Sequence, residues 1–397
     1  MFFILLSGCG LLQEADLGRA IPTTDDTSLI TTDTGTRVTD TGTDTDTDTD
    51  TDTDTDTDTE TEELPLSIAL YAMTVPNRPS DNIEIITANL DSMTIVDTTY
   101  TQMTGVPNMS NSLIFAEEER MLFATGNTDR TISGFLIDDS TGLLVEPGWS
   151  PWRTEATNIA LAWDQGLLYW ISEIYIGVLE FYDDSFQYSE TNELCGWGCT
   201  LYDITTRSDR RGFVAIYSEN AQGNYDYGLV MGNSNFEDLY GTEESYLDLK
   251  RIIPWGKEGI IYATGSDGVT IFNYEEQLEP IGMVSGYSIE NIAVEPRDGR
   301  YAYAISNDAD SNGNGTMYIS EVKQEGRSWS PKSIQSCPLN SQHIYASEHF
   351  LAVSSPDELW VYEIDSAGGA NLLHQFDRAN TGTYFGPMVI VEGVGGN

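Results

Sequence analysis

The sequence predicts an all-β protein, a seven-bladed β-propeller of four-stranded antiparallel blades over residues 64–397. Three observations predict it. A short apolar strand recurs seven times, as LYAM (70–73), LFAT (122–125), LYWI (168–171), FVAI (213–216), IYAT (261–264), AYAI (302–305) and FLAV (350–353). No long stretch carries the 3.6-residue period of an amphipathic helix, so helix should be scarce. The last apolar segment, MVIVEG (388–393), has no successor, and the first, IALYAM (68–73), has no strand ahead of it.

The chain opens with MFFILLSGCG. MFFILL is apolar but shorter than a secretory signal and lacks its basic start. Leu6-Ser7-Gly8-Cys9 is similar to a bacterial lipobox, in which small residues precede a cysteine that is diacylated and becomes the new N-terminus. Residues 1–9 therefore read as the remnant of a signal peptide ending at Cys9, with the true start codon expected upstream. No later segment approaches the roughly 20 apolar residues of a membrane-spanning helix, so attachment to the membrane is expected through the lipid alone. Gly10 stands where an Asp often retains such proteins at the inner membrane, which points to the outer membrane of a bacterial cell envelope.

Residues 10–63 read as a disordered acidic tether. They hold 17 Asp or Glu against Arg19 and Arg37, and every second residue from Thr43 to Thr59 is Asp. Such a segment cannot bury enough apolar surface to offset its ordering entropy. Alternate aspartates roughly 7 Å apart on an extended chain repel within a Debye length of about 8 Å, so the segment should stretch and act as a spacer.

From residue 64 onward each recurring strand reads as the second of a blade. An apolar strand and a polar turn precede it, as in IFAEEER (114–120), IALAWDQG (159–166), IIPWGKEG (252–259) and IAVEPRDG (292–299). A third strand follows, as in TISGFLID (131–138), GTMYISEV (315–322) and ELWVYEID (358–365). A more polar fourth segment completes the unit. Four strands in about 48 residues is propeller spacing. In the aligned strands a large residue (Tyr71, Phe123, Tyr169, Val214, Tyr262, Tyr303, Leu351) precedes a small one (Ala72, Ala124, Ala215, Ala263, Ala304, Ala352), with Trp170 the exception. Sheets packed face to face with little room on one side would select that pattern. Joining MVIVEG to IALYAM completes a blade and hides two sheet edges that would otherwise invite aggregation.

Two units carry a family resemblance. TISGFLIDDSTGLLVEPGWSP (131–151) and NIAVEPRDGRYAYAISND (291–308) resemble blades of lactonase-type seven-bladed propellers, the family of bacterial 6-phosphogluconolactonase. The resemblance implies the fold, and a lactonase-like or isomerase-like site at the central channel. The leader and tether depart from that family, whose enzyme looks cytoplasmic.

Chemistry is sparsely signalled. There is no G-x-S-x-G nucleophile motif and no P-loop or dinucleotide fingerprint, so no organic cofactor is expected. A net charge of −46 would repel phosphate backbones and anionic bilayers, which argues against nucleic acid as a partner. Arg207, Arg297 and His343 are candidates for holding an anionic substrate in the channel, against the plainer reading that they serve turns and strand ends. In DADSNGNGT (308–316), Asp308, Asp310, Asn312 and Asn314 alternate around Gly313 like the start of a calcium loop, although Ile319 stands where a final Glu is needed. Calcium is the one cofactor the sequence suggests. CGWGC places Cys195 and Cys199 close enough for a local disulfide in an oxidising compartment, while Cys337 has no evident partner. Trp149, Trp152 and Trp197 offer either sugar-stacking faces or wedges between blades.

Two functions compete on this basis. One is a monomeric, lipid-anchored binding scaffold without catalysis, meeting a protein or glycan partner. The other is a lactonase-like enzyme acting on a small cyclic ester or sugar acid in the channel, supported by fold analogy alone.

Overall fold

The structure, a computed structural model, describes residues 67–394 apart from 75–81, 105–111, 127–129, 147–151, 155–159, 183–184, 195–198, 208–211, 222–223, 237–238, 243–247, 256–258, 276–277, 324 and 383. All of them belong to one unit running from Glu62 to Asn397. Residues 1–9 and 10–63, with Cys9, lie outside the described residues.

Seven antiparallel sheets form the blades of the propeller. From inner to outer strand, blade one comprises Phe385–Glu392, Ile68–Thr74, Asn82–Asn89 and Thr94–Thr104. Blade two comprises Leu113–Ala116, Met121–Thr125 and Thr131–Ile137, with an outer strand broken into Leu144–Val145 and Trp152–Arg153, both paired to the third. Blade three is Ala160–Asp164, Leu167–Ile171, Tyr175–Tyr182 and Ser185–Glu193. Blade four is Cys199–Arg207, Gly212–Ala221, Asn224–Asn233 and a two-residue outer strand, Tyr240–Gly241. Blade five is Arg251–Pro254, Ile260–Gly265, Gly268–Asn273 and Glu279–Ser285. Blade six is Asn291–Val294, Tyr301–Ser306, Gly315–Lys323 and Ser328–Cys337, and blade seven is His343–Ala346, Phe350–Ser354, Glu358–Ile364 and Ala370–Asp377. The single described helix is one turn, Arg378–Thr381.

Closure follows the sequence expectation. The C-terminal strand pairs with the first described strand, with Leu70 opposite Ile390, Tyr71 opposite Val389 and Ala72 opposite Met388. Three strands from the start of the unit and one from its end make blade one. Because the first and last described strands share a sheet, Ile68–Thr74 has no open inner edge.

The core is divided among the blade interfaces. Seven separate clusters of buried side chains fill the seven gaps, such as Tyr303, Ile305, Leu351 and Val353 between blades six and seven. Strand alternation explains the large-small pattern, since neighbouring residues face opposite gaps. Tyr71, Phe123, Tyr169, Val214, Tyr262 and Tyr303 face the following blade; Ala72, Ala124, Ala215, Ala263 and Ala304 face the preceding one.

Both irregularities have packing causes. Trp170 breaks the small column, and the residue opposite it on the third strand is Gly177. A Cβ at Gly177 would overlap the Trp170 ring, so the small residue has moved across one strand. In blade seven the sequence alignment is one residue out of step. Leu351 packs toward blade six and Ala352 toward blade one, opposite to their aligned counterparts. A one-residue slip exchanges the faces of a strand. Here Ala352 lies opposite Tyr345 of the inner strand, whose ring supplies the bulk that the second strand lacks.

Three of the column tyrosines also latch adjacent blades. Tyr71 donates its hydroxyl to the Gly142 carbonyl at 2.6 Å, Tyr262 to Gly326 at 2.9 Å and Tyr303 to Gly368 at 3.4 Å. Each acceptor lies in the turn between the third and outer strands of the next blade. Burial pushes all three phenols up from their ordinary value, so they remain donors at physiological pH.

Candidate functional site: the central channel

Consecutive residues of all seven inner strands surround one cavity of about 300 Å³. Its wall includes Leu113–Phe115, Leu161–Trp163, 204–206, 252–254, 291–294 and 343–346. Alternating side chains of a strand point to opposite faces, so runs of three or four neighbours reach one cavity through the backbone. Each inner strand pairs on one side only, which turns its alternate N–H and C=O groups toward the channel. Residues such as Leu161, Ile292 and Val389 are almost wholly buried because their side chains enter the blade gaps. The polar residues of the wall are Thr205, Thr206, Asn291, His343 and Tyr345, and Thr206 donates its hydroxyl to the Trp163 carbonyl of blade three at 3.4 Å.

One mouth, where the inner strands begin, carries a polar group. Asp203 of blade four accepts a hydrogen bond from the Ile252 N–H of blade five at 2.9 Å. Asn291 uses Oδ1 to accept the Ile292 N–H at 2.8 Å, while its Nδ2 donates to the Gln342 carbonyl of the next connection at 3.0 Å. Lys250 reaches Glu290 at 2.7 Å, joining blades five and six. Complete burial pushes the Asp203 carboxyl up to about 6, against the opposing charge of Arg251 and the backbone donors Ile252 and Ile204. Burial, then the same Arg251 charge, pushes His343 down to about 3. At neutral pH the mouth thus holds a largely ionised Asp203 beside a cationic Arg251, and a neutral imidazole.

Of the three residues the sequence nominated for the channel, His343 lines the wall. Arg207 ends its strand buried between blades four and five, with its guanidinium 5.3 Å from the Tyr274 ring centroid and an N–H donated to the Tyr274 carbonyl at 3.5 Å. Arg297 lies on the exposed turn after the inner strand of blade six, at the far end of the ring. There it donates to the Glu348 carbonyl at 3.2 Å and faces His349 Nε2 at 2.9 Å. The other ring nitrogen of His349 meets Glu392 at 2.6 Å, and the His349 N–H donates to the same carboxylate at 2.9 Å. Glu348, His349 and Glu392 are the one described group of His, Cys, Asp or Glu gathered closely enough for a metal ion. Arg297 holds one imidazole nitrogen of His349 and Glu392 the other. The cluster ties the turns of blades six and seven to the closing strand.

The 308–316 loop is organised by Asp310. Its Oδ1 accepts the N–H groups of Asn312 and Asn314 at 2.7 and 2.9 Å, and its Oδ2 accepts the Ser336 hydroxyl at 2.6 Å. These donors, Ser336 first, hold the carboxyl below its ordinary value. Asp308 contributes its carbonyl to Thr316, and Gly313 adopts the positive φ of the tight bend. Cys199 is disulfide-bonded, whereas Cys195 lies outside the described residues. Cys337 is a buried free thiol, pushed by burial up to about 12. Trp152 packs edge-on against Phe186, 6.0 Å between centroids, as a wedge between blades two and three; Trp149 and Trp197 lie outside the described residues.

Asp203, Arg251 and Asn291 are site residues that sequence reading missed. Each stands in or just before an inner strand whose register is not visible until the ring closes. No family model matches the chain, and no curated protein matches it. Solved structures do match. A Bacteroides fragilis protein, described provisionally as a 6-phosphogluconolactonase, superposes with a TM-score of 0.61 at 14% identity, covering 82% of this chain and 98% of that one. A Lactobacillus plantarum protein gives 0.59 at 15% identity, over 82% and 99%. Apo AztD from Citrobacter koseri gives 0.51 at 10% identity, over 83% and 99%. At such identities the likeness is one of fold.

Proposed function

We propose that the protein is a non-catalytic binding propeller, tethered to a bacterial cell envelope through a lipid on Cys9. One observation supports this reading: among the described residues that line the cavity there is no Asp, Glu, Lys, Arg, Ser or Cys. Its one imidazole, His343, is too weakly basic near pH 7 to act as a general base. The backbone edges and neutral side chains of the wall suit recognition. On this reading the acidic tether holds the ring away from the outer membrane, free to meet a glycan or protein.

Turnover is the test. The full chain, assayed in a pH-stat with 6-phosphogluconolactone and glucono-δ-lactone, should hydrolyse neither faster than buffer. Hydrolysis that falls in His343→Gln would establish the second reading, a lactonase-like enzyme. That reading is favoured by the meeting of Asp203, Arg251 and His343 at one mouth. The envelope assignment is tested separately: Cys9→Ser should move the protein from the membrane to the soluble fraction. An unchanged distribution rejects the anchor.

A further inference from the structure

The wall of the cavity is specific about charge. Its polar residues are Thr205, Thr206, Asn291, His343 and Tyr345, and no Asp, Glu, Lys or Arg stands among the described residues that line it. Burial holds His343 in its neutral form, and burial together with the Glu117 and Glu392 carboxylates raises the Tyr345 phenol to about 12. Between these side chains run seven strand edges that alternate donors and acceptors. Two places in the structure already show what such an edge accepts. A carboxylate oxygen of Asp203 caps the Ile252 N–H, and an amide oxygen of Asn291 caps the Ile292 N–H.

A ligand anion would leave water for a wall with no Lys or Arg among its described residues, which is strongly unfavourable. Arg251, the described cation of the mouth, acts on the Asp203 carboxylate. The chain's net charge of −46 opposes anion entry further. A neutral molecule with many hydroxyl groups has no such penalty, because each hydroxyl both donates and accepts and can meet either kind of backbone group.

We infer that the channel binds a neutral, polyhydroxylated small molecule, a mono- or disaccharide or a cyclic polyol, and discriminates against the corresponding sugar acids. The inference rests on the reading of the channel as a binding site and names its ligand class. It runs against the anionic substrate that the resemblance to lactonase-type propellers implies.

Calorimetry on the full chain at pH 7.5 and 150 mM NaCl tests it. The neutral probes are glucose, N-acetylglucosamine, maltose, cellobiose and myo-inositol; the anionic ones are gluconate, glucuronate and 6-phosphogluconate. At least one neutral probe should bind, with glucuronate and gluconate at least tenfold weaker than their neutral counterparts. Thr205→Val, which keeps the shape and removes one hydroxyl at the wall, should weaken that binding by threefold or more; Thr206→Val serves in its place if Thr205→Val does not fold. Tighter binding of the acids, or no heat from any neutral probe, overturns the inference while leaving the non-catalytic reading standing. Consumption of a lactone overturns that reading instead. Neutral-sugar binding indifferent to a folded Thr205→Val or Thr206→Val variant removes it from the channel and also overturns the inference.

Discussion

Replacing Asp203 by Asn should stabilise the protein, and by more as pH rises. Asp203 is 1% exposed and its carboxyl is raised from 3.8 to about 6. A group titrating higher in the folded than in the unfolded state contributes stability while protonated in both. That contribution is lost as pH climbs from the unfolded value through the folded one. A rise of about two units corresponds to about 3 kcal/mol, fully expressed at pH 7 and above. At pH 5 about 1.5 kcal/mol is expressed, and near pH 3 almost none. Asparagine resembles the protonated acid and retains an oxygen for the Ile252 N–H, so Asp203→Asn should recover most of this. The assay is urea unfolding of parent and variant at pH 5 and pH 7.5, followed by tryptophan fluorescence. The advantage of the variant should roughly double between them. A pH-independent difference, or a variant less stable at pH 7.5, would mean that the bond to Ile252 and the charge of Arg251 outweigh the cost of burial, and would refute the electrostatic account of the mouth.

The remaining predictions concern the ring itself. Tyr71→Phe and Tyr262→Phe should each cost about 1–2 kcal/mol by leaving the Gly142 or Gly326 carbonyl without its hydroxyl donor, while Tyr303→Phe, which loses a longer bond, should cost less; urea midpoints report the order. Gly177→Ala should cost about 1–3 kcal/mol through overpacking, and pairing it with Trp170→Leu should recover much of the loss, as a double-mutant cycle would show. Ending the chain at Tyr384 removes Met388, Val389, Ile390 and Val391, all buried. At about 1.5–3 kcal/mol each, this loss rivals the whole 5–15 kcal/mol margin of a typical domain. The truncated protein should therefore be insoluble or protease-sensitive, and a folded soluble product would disprove closure by that strand.

What was legible in the sequence was whatever repeats. Tyr71, Tyr262 and Tyr303 each precede an alanine because each faces the same kind of gap, so the pattern exposed blade number and closure. Trp170 looked like a fault until its cross-strand partner proved to be Gly177, a relation that sequence spacing does not display. The sequence alignment sets Ala352 one position out of step because apolarity alone does not fix which face a buried strand presents; the ring of Tyr345 decides it. The site was less legible for a related reason. Asp203, Arg251, Asn291 and His343 lie up to 140 residues apart in sequence and come together only through the ring. Arg207 and Arg297 drew notice by charge, yet one fills a blade gap over Tyr274 and the other secures His349.

Hydrogen exchange tests the claim that the channel edges are the binding groups. The full chain would be exchanged with and without a saturating amount of whichever neutral sugar binds most tightly, and read by mass spectrometry. Slowing should appear in peptides covering the inner strands, above all Asn291–Val294 and His343–Ala346, and not in outer strands such as Thr94–Thr104 or Ser328–Cys337. Protection restricted to outer strands, or equal exchange throughout, would contradict the account.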